Sequence, residues 1–99
     1  MKDASPDLVA DVTLYSTDNG GRKGPTASEW FGCPVMISKD KLSGWDCRIL
    51  LNGTPLRPGD TRRVGMVFLS PDQAIPLLRA AGKFYLWEGH FIGEGTVVP

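Results

Sequence analysis

His90 is the one histidine in a chain of 99 residues, so any acid–base or nucleophilic scheme has to run through it. Glu88 and Glu94 flank it, and Cys33 or Cys47 would supply the nucleophile, but no pattern in the chain gathers these groups. A hairpin histidine without chemistry is the simpler reading. The cysteines belong to no C-x-x-C pair, and a single histidine leaves a four-ligand zinc site undersupplied. No metal or cofactor is expected, and the thiols read as small buried side chains rather than a disulfide. The chain is read as a non-enzyme, with an unrecognised small-molecule or catalytic role through His90 as the remotest alternative.

The other residues with chemistry to offer are suited to binding. Arg22 and Lys23 follow Gly20-Gly21, where a guanidinium could pair with backbone phosphate. It could equally brace a glycine-flanked loop on carbonyl groups, and this structural role is ranked first. Trp30 and Phe31 are adjacent aromatics at the end of an aperiodic stretch, residues 22–32, that reads as a long loop. They suit a protein-binding hot spot or a base-stacking platform; alternatively they close one end of a barrel, the preferred reading for Trp30. His90 ends a tight turn, Glu88-Gly89-His90, and Phe91 opens the strand that follows. Arg62 and Arg63 form the densest basic spot, but adjacent strand residues point to opposite faces. Eleven basic side chains are balanced by eleven acidic ones, whereas a dedicated nucleic-acid binder carries a basic excess. Strong autonomous binding of RNA or DNA is disfavoured on that ground.

Strands must position these residues. Leu8 to Tyr15 alternates, with Leu8, Ala10, Val12 and Leu14 on one face. Val35 and Ile37 mark a strand over 33–38, and Trp45, Cys47, Ile49 and Leu51 a third. Val64, Met66 and Phe68 mark a strand over 61–69, and two more follow over 83–87 and 91–98. Asn52-Gly53 and Arg57-Pro58-Gly59-Asp60 are turn signals, the latter of type II. Ser70-Pro71-Asp72-Gln73 opens a helix with serine as cap, Pro76 interrupts it, and Gly82 ends it, so a short or broken helix is expected over 71–81. About six strands at regular spacing predict an all-β sandwich or barrel as a single domain over 8–99, preceded by a flexible N-terminal segment, 1–7. Only Lys2 and no apolar run stand at the N-terminus, and no stretch is long enough to span a membrane, which predicts a cytoplasmic protein.

Three pieces of punctuation go beyond a generic barrel. Gly20-Gly21-Arg22 follows the first strand. Pro58-Gly59-Asp60 precedes a Val-x-Met-x-Phe strand. The chain closes on Phe84, then Glu88-Gly89, then Gly93-Glu94-Gly95-Thr96-Val97. In this order, over residues 9–98, they resemble the C-terminal β-barrel of elongation factor Tu, the third of that protein's domains. The resemblance implies a closed six-stranded antiparallel barrel with a short helical insertion at 71–81. It also implies a translation-related role without catalysis, since that barrel packs on a GTPase domain, touches the T stem of tRNA and helps engage the exchange factor. The chain itself carries no Gly-x-x-x-x-Gly-Lys-Ser/Thr phosphate loop, so it is not expected to bind GTP alone. Trp30-Phe31-Gly32 stands where the family has tyrosine-arginine-proline, and His90-Phe91 where it has glycine-arginine. The loss of two arginines turns the expectation toward a protein-interaction module that uses Arg22, Lys23, Trp30, Phe31, His90 and Phe91.

Overall fold

Alternation of apolar and polar residues is a barrel's basic requirement, because successive strand side chains point alternately inward and outward. The computed structural model, which describes residues 5–41 and 43–99, realises it in six strands, with one α-helix and a single 3-10 turn at Thr17–Asn19. These are β1 (Leu8–Leu14), β2 (Trp30–Met36), β3 (Trp45–Leu50), β4 (Thr61–Phe68), α1 (Pro71–Ala81), β5 (Lys83–Trp87) and β6 (Phe91–Val97). The strands form a closed barrel in the order β1-β4-β3-β2-β5-β6, all pairs antiparallel. The fold is the expected all-β barrel with one short helix. Among the described residues no helix is long and apolar enough to cross a membrane.

The interior is filled from every strand. Leu8, Ala10, Val12 and Leu14 of β1 meet Val64, Met66 and Phe68 of β4, Ile49 of β3, Val35 of β2, Phe84 and Leu86 of β5 and Ile92 of β6, all buried. Gly95 keeps this packing possible: a methyl group there would lie 2.2 Å from Cζ of the fully buried Phe84 ring.

Three expectations need correction. β2 begins at Trp30 and not near Cys33, so the aperiodic stretch is shorter than it reads. It is also pinned: buried Thr26 exchanges backbone and hydroxyl bonds with Leu56, and the Ser28 and Glu29 carbonyls accept from Gly53, Leu51 and Asn52. At its other end β2 stops at Met36, leaving Ile37 exposed where alternation with Val35 predicts it inside. The helix is continuous despite Pro76. The ring deprives only the carbonyl four residues earlier, that of exposed Asp72, of its partner. Ser70 starts the helix through its backbone carbonyl, which accepts from Gln73 and Ala74, while its hydroxyl caps nothing. The Arg57–Asp60 turn forms as predicted, with Gly59 at φ 89°.

Residues 1–4 of the expected N-terminal segment lie outside the described residues. Asp7 is tied down, its amide donating to the Met66 carbonyl and its carboxylate accepting from the Phe68 amide at 2.8 Å.

Two exposed cross-strand ion pairs stitch the outside. Arg63 on β4 bonds Asp11 on β1, and Lys83 on β5 bonds Glu94 on β6. The Arg63 guanidinium holds the Asp11 carboxyl below its ordinary value; the Lys83 ammonium, helped by the Tyr15 hydroxyl, does the same for Glu94. Carboxyls that give up protons more readily in the folded chain stabilise it above their unfolded values, and that contribution fades as pH falls through the lowered folded values. The melting temperature is therefore expected to hold above about pH 4.5, the ordinary Glu value, and to drop below it. Glu94→Gln should flatten part of the drop, and an identical acid limb in the variant would count against the pair. Separately, Gly95→Ala is expected to cost about 1–3 kcal/mol by overpacking, read as a lower urea midpoint at unchanged slope.

Candidate functional site

The order of inward and outward residues on β2 decides what its aromatics do. Phe31, Cys33 and Val35 share the inner face, so Trp30, Gly32 and Pro34 share the outer one. Phe31 is 8% exposed and belongs to the core, which corrects the reading of it as a binding aromatic. Trp30 is 46% exposed and closes no barrel end. Its indole leans along the strand over Gly32, where a Cβ would come within 3.1 Å of the ring. The Arg48 guanidinium of β3 stacks on its face at 4.3 Å. Trp30 is thus held against the barrel wall.

Beside it an open groove of about 500 Å³ runs across the outside of β2, β3 and the end of β4. Trp30, Pro34, Asp46, Arg48, Val67 and Leu69 form its sides. Leu69, 78% exposed, is the most uncovered large apolar side chain of the described residues. Cys33 and Cys47 lie at its floor as directly opposed cross-strand partners. Both are buried and reduced, with Cys47 Sγ donating to the Cys33 carbonyl at 3.3 Å. Contact with Cys33 and burial push the Cys47 thiol well above its ordinary value, which suits packing and not nucleophilic attack. His90 lines a different pocket, so the structure does not bring it to either cysteine.

That second pocket, about 550 Å³ and open, is lined by Gly20 to Gly24, Glu88 and His90. Here the structure does join sequence-predicted residues: Arg22, Lys23 and His90. The Arg22 side chain, however, is spent. Its Nη1 donates to both Glu88 oxygens at 2.7 and 2.5 Å, and Nε and Nη2 donate to the Gly24 and Pro25 carbonyls. The guanidinium also lies 4.9 Å from the Phe31 ring centroid. Phe31 is on β2 and Glu88 follows β5, so Arg22 clamps the β2–β5 seam. That seam has only two register pairs, Val35↔Leu86 and Met36↔Tyr85, the fewest of the barrel. Lys23 points outward and is exposed. Phe91 lies on the outer face, half-buried against Tyr85 and Trp87.

The basic side chains do not converge. Arg62 donates to the Thr54 and Pro55 carbonyls while its neighbour Arg63 pairs with Asp11, and Lys83 pairs with Glu94. Sequence reasoning missed Arg48, Val67 and Leu69 as groove residues. Their outward parity was legible, but the juxtaposition of three strands was not.

Compared with known proteins, the chain matches no family model and no curated sequence.

Replacing Arg22 by Ala should cost about 1–2 kcal/mol, allowing for the half-exposed carboxylate partner, and should open the chain near residues 17–25 to limited proteolysis. Arg22→Lys should recover little of this, because a point charge cannot reproduce the forked bonds. A thermal melt unchanged by Arg22→Ala would remove the clamp.

Proposed function

We propose that this chain is a free-standing barrel of the elongation factor Tu C-terminal type that works in the cytoplasm as a non-catalytic protein-interaction module, in a translation-related setting. The observation that carries the binding role is the groove beside Trp30. A large aromatic held rigidly half in water, next to an uncovered leucine and a stacked arginine, is the composition of an interface hot spot. Tryptophan and arginine lead such hot spots because they bury much area at little conformational cost. The family assignment rests on the ordered punctuation of the sequence and is compatible with the six-stranded closure.

The tRNA alternative is the weaker one on two counts. Arg22, the residue best placed to meet phosphate, is engaged by Glu88 and two carbonyls. The net charge is zero, so little counterion release is available to drive binding.

A photocrosslinking residue at Leu69, compared with one at exposed Thr96 on β6, tests the reading in cells. The expected result is a discrete protein adduct from position 69, lost with Trp30→Ala and absent from position 96. Equal labelling from both positions would overturn the groove as the docking surface. Salt-sensitive retention of total tRNA by the purified chain, weakened by Lys23→Ala, would replace the protein module with the RNA accessory.

A further inference from the structure

On the side of the barrel away from the groove, three aromatic rings surround one ammonium. Lys39, in the connection after β2, places Nζ 4.9 Å from the Tyr15 ring centroid, 5.1 Å from Tyr85 and 5.5 Å from Phe91. All three distances fall inside the ~6 Å reach over which a ring quadrupole attracts a cation. A lysine near one ring is ordinary surface packing; three rings around one nitrogen make a cage.

The rings come from β5, β6 and the residue that follows β1, and a bulge makes their meeting possible. Gly93 and Gly95 of β6 face inward, so strict alternation would send Phe91 inward too. Instead the register shifts between Leu86 and Trp87: Leu86 faces Gly93 while Trp87 faces Phe91. Ile92 and Gly93 are then both buried, and Phe91 is re-aimed to the outside. There it stands edge-on to Tyr85, centroids 6.2 Å apart, and to Trp87 at 5.0 Å. The Tyr15 hydroxyl donates to Glu94 Oε1 at 3.0 Å, fixing the third ring. Glu94 Oε2 takes the Lys83 ammonium at 3.1 Å, and that ammonium lies 5.7 Å from the Tyr85 centroid, so Tyr85 borders a second cation that Glu94 already pairs.

We propose that Tyr15, Tyr85 and Phe91 form a binding site for an alkylammonium cation, which Lys39 occupies from within the chain and vacates for an incoming quaternary or methylated ammonium. Lys39 is exposed, belongs to no strand or helix and, among the described residues, forms no ion pair, so ring faces are its direct contacts while the Glu94 carboxylate attracts it from beyond ion-pair distance. The same facts select the ligand. A primary ammonium is compact and strongly hydrated, and it wants acceptor oxygens. This site offers chiefly ring faces. A methylated ammonium spreads its charge over carbon and gives up less water on entering, so it is the better occupant.

The test uses Lys39→Ala, a change in an exposed connection, with the fold checked by the amide NMR spectrum. Choline and its neutral carbon isostere, 3,3-dimethylbutan-1-ol, are titrated while the ring resonances of Tyr15, Tyr85 and Phe91 are followed. Choline should shift all three rings of the variant, with affinity about tenfold or more above both the isostere on the variant and choline on the wild-type chain. Adding Phe91→Leu should abolish the response while leaving an apolar side chain in place. A trimethyllysine peptide then separates the sources of the cation: tighter binding than choline identifies a modified protein tail, and weaker binding a free small ligand. Rings of Lys39→Ala that respond to neither compound, or equally to both, would overturn the proposal.

Discussion

β1 is hydrogen-bonded on both sides, to β4 through Leu8–Thr13 and to β6 through Ala10–Leu14, and the rest of the molecule depends on that double pairing. Without it the six strands would be an open sheet with two bare edges, ready to pair with other chains. With it, every strand has an inside and an outside, and each side chain is committed to one of them. The four inward residues of β1 are each at most 1% exposed. Their burial supplies both the apolar contact and the exclusion of water that the ladder bonds need.

Closure leaves one weak place. β2 and β5 share only two register pairs, and the chain covers the remaining gap with Arg22. A guanidinium suits this position because its fork can bond a carboxylate and two carbonyls at once while its flat face rests on Phe31. The residue most suggestive of phosphate recognition is therefore a piece of the barrel wall. What the wall leaves outside is Trp30 and Leu69 on one side, and the ring cluster of Tyr85 and Phe91 on the other.

Much of the fold was legible because alternation is a strong signal wherever one face is dry. The strands at 8–14, 45–50, 61–68 and 83–87 read directly from Leu8-Ala10-Val12, Cys47-Ile49, Val64-Met66-Phe68 and Phe84-Leu86. The bracing role of Arg22 was legible too, since glycine neighbours free the backbone that such a brace must hold. Trp30 and Phe31 were misjudged for a local reason. Gly32 is a weak strand former, so the strand seemed to begin after it, at Cys33, and two residues that belong to opposite faces looked like one loop. The site residues Val67, Arg48 and Leu69 were hidden differently, because only the β2–β3–β4 register brings them to Trp30. The β6 bulge left no mark in the sequence, as nothing in Phe91-Ile92-Gly93 distinguishes a regular strand from one with an extra residue.

The pairing of β1 with β6 also sets an order of events. A strand near the start of the chain must wait for the last one, Phe91–Val97, before its second edge is satisfied, and the paired residues lie 79 to 87 positions apart, from Leu14↔Gly93 to Ala10↔Val97. Most of the barrel's neighbours are likewise distant along the chain, a pattern that slows folding because loop entropy is spent before contacts repay it. Until β6 arrives, the inward face of β1 and the unpaired edge beside it are open together. The molecule is therefore most exposed to mispairing during the interval between its first strand and its last, and its assembly rate should be governed by how quickly the β5–β6 hairpin forms and docks as a unit.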